Sequence, residues 1–203
     1  MANQTITKCL IGEARMNFCR VFEPESFNGG DPKYSVILSF DKDDEALVAK
    51  IEAAINECVE KAKTSKYGGK LPKGFKVIEL KDGDEDYEGE GFPGQYTIKA
   101  SSAYKPEVVK KGKVMGKTQF VPITDEDEFY SGCYGYASVS FFAYDNGVSK
   151  GVTCGLNSLL KSRDGERFGN GGGSAAADFA GVIDDIEDAD DDDIEDADDD
   201  DLI

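Results

Sequence analysis

The sequence contains no histidine. That removes the commonest general base, the commonest transition-metal ligand and every histidine-dependent catalytic triad. A carboxylate- or lysine-dependent enzyme is the catalytic class that remains. Cysteine is sparse and badly placed for cross-linking: Cys9, Cys19, Cys58, Cys133 and Cys154 are odd in number and scattered, with no C-x-x-C pair. Such spacing fits neither a disulfide framework nor a zinc cage, so they read as small buried apolar residues in a reducing compartment. No apolar run approaches the ~18 residues of a membrane helix, and the opening MANQTITKCLIGEARM lacks the apolar core of a signal peptide. The chain is expected to be soluble and cytoplasmic, without a membrane partner, which leaves the Asn3-Gln4-Thr5 glycosylation triplet idle.

Basic residues are absent from residue 178 onward, and that absence divides the net charge of −18. The 41 acids split into 15 in this last segment and 26 before it; against all 23 bases, the first 177 residues carry −3. A nearly neutral body therefore carries one polyanion, and the acidic balance of the whole chain does not exclude a nucleic-acid partner. The 203 residues suffice for one ordinary domain with a substantial core.

Along the body, alternation predicts one or two strands over residues 7–21 and a strand over 33–41, with Tyr34, Val36 and Leu38 on one face of the latter. Leu47, Val48, Ile51, Ile55, Cys58, Val59 and Ala62 then recur at helical spacing. Asp41 or Asp43 can cap that helix, Lys61 and Lys63 suit its negative end, and Gly68 can stop it. After Gly94 the pattern is β: a strand over 95–102, a hairpin or a pair of short strands over 108–123, and a hairpin turning at Asp145-Asn146-Gly147. The expected fold is mainly β with one amphipathic helix, a small closed or half-closed barrel with insertions. It spans residues 1–169. A Gly/Ala-rich flexible linker follows at 170–177, and then an acidic tail at 178–203. The tail repeats IEDADDDD at 186–193 and 194–201, ends Leu202-Ile203, and is expected to be disordered.

Three motifs tempt and fail. Gly89, Gly91 and Gly94 spell G-x-G-x-x-G, but Pro93 interrupts, a strand follows instead of a helix, and Asp82, Asp84, Glu85, Asp86 and Glu88 would repel a phosphate. Gly112, Gly116, Lys117 and Thr118 approximate a P-loop one residue short, in a β context. Asp82, Asp84 and Asp86 open like a calcium loop, but Tyr87 stands where the sharp turn needs glycine and Pro93 where a bidentate glutamate belongs.

What remains is lysine, aromatics and the tail. Residues 61–78 hold Lys61, Lys63, Lys66, Lys70, Lys73 and Lys76 and no acid, interleaved with Tyr67 and Phe75. Residues 105–117 hold Lys105, Lys110, Lys111, Lys113 and Lys117, with Tyr104 just before. Lysine loops bearing an aromatic suit a phosphate backbone with exposed bases, although solvated loops share that composition. In the strand over 134–144 the odd positions (Gly135, Ala137, Val139, Phe141, Ala143) are small and apolar, as a barrel interior requires. The even positions Tyr134, Tyr136, Ser138, Ser140, Phe142 and Tyr144 are aromatic and hydroxylic, which suits base stacking, or else the covering of a helix. The tail can compete with DNA for a lysine-lined groove. Its end, Asp198, Asp199, Asp200, Asp201, Leu202 and Ile203, suits a partner's basic, apolar pocket.

With these residues in view, the chain resembles the bacteriophage single-stranded DNA-binding proteins long catalogued only as a domain of unknown function. The likeness covers roughly residues 5–169 and is closest over 127–169. There Tyr130, Ser131 and Gly132 open the pattern, Ala143 and Tyr144 end an aromatic strand, and Gly151, Gly155, Leu156 and Asn157 follow. Asp164 and Gly165 close it. The resemblance implies an OB-fold, work on phage DNA in replication or recombination within an infected bacterial cell, and an acidic C-terminus. A minimal OB barrel is shorter than this body, so the helix and the lysine loop are expected additions. The tail departs from the bacterial type in ending Leu-Ile rather than in an aromatic.

The leading reading is a non-enzymatic, sequence-tolerant single-stranded DNA-binding protein without cofactor or metal. Phage or host replication proteins are its expected tail partners, and self-association is compatible with the sequence. The alternative is a DNA-mimic interaction protein that sequesters basic partners. A carboxylate-dependent nuclease built on the Asp82–Glu88 cluster with Mg²⁺ is the third class.

Overall fold

The computed structural model describes residues 6–26, 29–86 and 92–167. All belong to the first of two units into which the chain divides, Met1–Gly169. The second, Asn170–Ile203, lies outside the described residues, and with it the linker and the acidic tail to its last six residues.

The described chain runs β1 (Ile6–Glu25), β2 (Lys33–Asp41), α1 (Glu45–Ser65), β3 (Lys81–Asp82), α2 (Gly83–Asp86), β4 (Gln95–Ser102), β5 (Glu107–Val114), β6 (Lys117–Pro122), β7 (Tyr134–Asp145) and β8 (Lys150–Arg163). Five of these strands close on themselves. β1 pairs antiparallel with β2 and β7, β2 with β4, and β7 with β8, while β8 returns to β4 through a parallel pair at Ser101 and Gly155. This is the partly open, five-stranded barrel of the OB-fold. β3 adds a two-residue flank to β4, and the β5–β6 hairpin extends the sheet beyond β8.

The period-2 pattern fills the barrel. Ile11 and Met16 of β1, Val36 and Leu38 of β2, Ile98 and Ala100 of β4, Ala137, Val139 and Phe141 of β7, and Val152 and Cys154 of β8 are all buried. The odd face of β7 is thus interior, as its small apolar residues predict. Helix α1 lies in the connection between β2 and β4, packs on β1 and β7, and buries Leu47, Ile51, Ile55, Cys58 and Ala62. Burying a side chain of the Leu or Ile class stabilises by about 1.5–3 kcal/mol.

The residues around 7–21 form one continuous strand, one of the two alternatives their pattern allowed, because register shifts absorb its twist instead of a turn. One boundary differs from expectation. The helix is capped by Asp44, whose carboxylate accepts the Leu47 amide at 3.0 Å, and not by Asp41 or Asp43. Asp41 is held in the last ladder pair of β2, opposite Gln95, where its carboxylate accepts the Asp43 amide at 2.9 Å. All five cysteines are free; four are buried, and Cys19 is half-buried, with desolvation pushing its thiol up to about 12.

Candidate nucleic-acid interface

One edge of β8 carries three parallel neighbours in succession. The Lys76 amide donates to the Lys150 carbonyl at 2.9 Å, and the Lys76 carbonyl accepts the Val152 amide at 2.8 Å, which bridges Lys76 to Gly151. Ser101 of β4 follows at Gly155, and Glu107 to Lys110 of β5 run beside Ser158 to Lys161. Both lysine stretches are therefore anchored to one strand, at Gly151 and Ser158, about 23 Å apart along an extended chain.

The first stretch leaves the C-cap of α1 at Lys66. Lys66, Lys70 and Lys73 are exposed, and Tyr67 meets Phe75 edge-on at 5.7 Å with the Lys66 ammonium 5.7 Å from its ring centre. Tyr144 is a near neighbour, since it pairs with Gly151, the residue that Lys76 bridges. In the second stretch Tyr104 is 85% exposed, and the Lys105 ammonium stands 5.8 Å over the Phe22 ring. Lys111 and Lys113 are exposed on the hairpin, whose apex, Met115 (φ 51°) and Gly116 (φ 77°), has the backbone of a type I′ turn. Lys110 instead forms an ion pair with Glu128. Beneath the hairpin a groove of about 490 Å³ is lined by Leu10, Val109, Phe120, Tyr136 and Leu160.

The outward face of β7 is divided in use. The Arg163 guanidinium stacks 3.5 Å over the Tyr134 ring, a cation–π contact. Tyr136 and Phe142 are each 36% exposed. Phe142 lies over Gly155, where an added Cβ would come within 2.8 Å of the ring, so glycine is what lets the aromatic cover the seam between β8 and β4. Ser140 is tied to Asn157 at 2.9 Å.

No pattern in the sequence singles out the outward face of β2 and β4, which in OB barrels takes oligonucleotides together with the loops after the first and fourth barrel strands. Here a groove of about 300 Å³ beside the β1–β2 loop is lined by Lys33, Ser35, Lys99 and Ser101 along with Glu25 and Asp31. No local signal marks Lys33 and Lys99 as neighbours, because only closure of the barrel joins them. Two acids of the failed calcium motif, which the nuclease alternative would also need, are engaged otherwise. The ammonium of Lys42 bonds Asp82 and Asp84, which holds both carboxyls below the ordinary range and raises the lysine. Tyr87, Glu88, Gly89 and Gly91 of the failed motifs lie outside the described residues.

The family profile described as "Enterobacter phage Enc34, ssDNA-binding protein" matches residues 7–194. The chain belongs to this family of phage single-stranded DNA-binding proteins. It is a family of binding proteins rather than catalysts. A protein called p50 from Acyrthosiphon pisum secondary endosymbiont phage 1 is 31% identical over 182 residues, covering 85% of this chain and 92% of the relative. The single-stranded DNA-binding protein of bacteriophage Enc34, solved in complex with ssDNA, superposes with a TM-score of 0.64 at 27% identity, over 80% of this chain and 90% of that one. The same phage protein without DNA gives 0.61 at 25% identity, over 85% and 90%. Within the family pattern, Tyr130, Gly132 and Gly165 are brought together in space. The Tyr130 hydroxyl bonds the backbone of Gly165, and Gly132 passes so close to Glu166 that only glycine fits.

Proposed function

We propose that this chain binds single-stranded DNA without sequence preference in phage replication or recombination, with its acidic tail as competitor and recruiter. The observation that carries the reading is the anchoring of both lysine stretches on the edge of β8, beside the outward face of β2 and β4. Phosphates meet Lys66, Lys70 and Lys73 at one end and Lys105, Lys111 and Lys113 at the other. Bases stack on Tyr104 and Phe142, with Tyr67, Tyr136 and Tyr144 as the remaining candidates. Lys110 and Tyr134 contribute less, being engaged by Glu128 and Arg163. Each stacked base adds roughly 1–3 kcal/mol whatever its identity.

The 15 acids from residue 178 onward oppose DNA for the same lysines, and a flexible chain of 34 residues, the number beyond 169, would have a root-mean-square span of roughly 30 Å. Replication proteins with a basic, apolar pocket are the class that the terminal aspartates, Leu202 and Ile203 would recruit. The test is fluorescence anisotropy with labelled oligo-dT, on the full chain and on a version ending at Ala177, at low and moderate salt with a duplex control. Truncation is expected to tighten binding, by a factor that shrinks as salt rises. Failure of both versions to bind at low salt refutes the reading and favours the DNA-mimic alternative.

A further inference from the structure

Strand β1 carries one residue too many between Asn17 and Arg20. Opposite β2, Asn17 pairs with Ile37 and Arg20 with Ser35, so three steps along β1 face two along β2. The surplus falls at Phe18, whose φ of 48° is left-handed. Glycine is the natural occupant of such a bulge position, and a bulky side chain there is strained. Strain of this kind persists only where the surroundings over-determine it. Both flanks are pinned: the Asn17 amide group donates to Ser39 Oγ at 2.6 Å, and the Cys19 backbone amide donates to Ser131 Oγ at 2.9 Å. Held on either side, the backbone turns the intervening ring outward. Phe18 is 46% exposed, and its ring lies parallel to that of buried Phe92, at 8° and 6.3 Å between centroids.

The left-handed backbone costs stability, and the exposed part of the ring adds nothing to the core beyond its stacking on Phe92. The position does suit a ligand, since Phe18 borders β2 on the face left outward by the barrel. Arg20, two residues on, forms an exposed ion pair with Glu25 besides a hydrogen bond to the Cys19 carbonyl, and can exchange that carboxylate for a phosphate. We infer that Phe18 is a base-stacking residue for single-stranded DNA, with Arg20 taking an adjacent phosphate. This rests on the ssDNA reading above and adds a contact on β1, outside both lysine stretches and β7. The buried Phe92 ring backs Phe18 and presets its plane, so little rotamer freedom is lost when a base arrives.

The chain contains no tryptophan, so Phe18→Trp makes a single-tryptophan reporter at this position. Its fluorescence is expected to fall on titration with oligo-dT, in step with the anisotropy of labelled oligonucleotide. Phe18→Gly relieves the left-handed backbone and is expected to keep the melting temperature while weakening oligo-dT binding about tenfold or more. Tryptophan emission that stays constant while DNA demonstrably binds overturns the assignment, as does Phe18→Gly binding like the unaltered chain. If the unaltered chain itself fails to bind oligo-dT, the ssDNA reading falls, a result distinct from either of those.

Discussion

The Tyr130 hydroxyl brackets the backbone of Gly165, 2.9 Å from its carbonyl oxygen and 3.3 Å from its amide nitrogen, with the Asp164 carboxylate as a further acceptor at 3.1 Å. Two residues on from Tyr130, Gly132 has φ 114°, and an added Cβ would lie 1.9 Å from the Glu166 carbonyl oxygen. Two ends of the family pattern thus form one clasp, at the point where β8 leaves the barrel. Tyr130→Phe should lower stability by about 1 kcal/mol, the usual net worth of such a hydrogen bond. Gly132→Ala should lose more than ~2 kcal/mol, because both the clash and the left-handed backbone oppose it. Urea unfolding of both variants checks the order, and equal stabilities would remove the clasp.

Replacing Lys66, Lys70 and Lys73 together by alanine should flatten the salt dependence of oligo-dT binding. Each phosphate contact on a single strand contributes ~0.7 to the slope of log affinity against log salt, so the triple variant should lose about 2. Lys110→Ala should change the slope far less, since Glu128 already neutralises that ammonium. A titration series across salt concentrations distinguishes the two, and an unchanged slope in the triple variant would take the first lysine stretch out of the interface.

Phe142 can serve as a stacking platform only while Gly155 lets its ring lie over the β8–β4 seam. Phe142→Ala should therefore weaken oligo-dT binding roughly fivefold to a hundredfold, the worth of one stacked base. Gly155→Ala leaves the aromatic in the sequence but pushes it off the seam, and should reproduce part of that loss. Equal affinity in both variants would confine stacking to the other aromatics.

Much of this architecture was legible because it is local. The helical spacing from Leu47 to Ala62, the alternation of β7 and the Asp145-Asn146-Gly147 turn each declare themselves within a dozen residues, and each is present. The cap was misplaced because Asp41, Asp43 and Asp44 are chemically equivalent until the β2 ladder claims the first. The lysine stretches could be named from composition, but their common anchorage on β8 could not, since Lys76 and Glu107 are joined only through strand pairing. Lys33 and Lys99 were overlooked for the same reason. Phe18 was hidden more deeply. A phenylalanine in a strand reads as core, and only the register shift against β2 reveals that it faces outward.

Acid should act on the tail before it acts on the body. The body has no histidine to titrate near neutrality. Four of its lowered carboxyls are held by ion pairs, Asp145 by Lys150 at 3.0 Å, Asp164 by Lys161 at 2.6 Å and then Tyr130, and Asp82 and Asp84 by Lys42, while Glu13 is lowered chiefly by the Ser162 hydroxyl. A depressed folded-state pKa gives stabilisation that is present above the unfolded value of ~3.9 and is lost as pH falls through the lower folded value. The body should accordingly keep its fold and its oligo-dT affinity from pH ~8 down to ~4.5. Crowded like charges behave oppositely, because each carboxylate in a run of aspartates favours protonation of the next. The opposition to DNA proposed for the tail should thus fade within that same range. The measurement is the ratio of oligo-dT affinities of the chain ending at Ala177 and the full chain, followed from pH 7 to 4.5 at constant ionic strength. A ratio that shrinks toward one while the truncated chain binds unchanged is the expected result. A constant ratio would mean that the tail does not act through its charge.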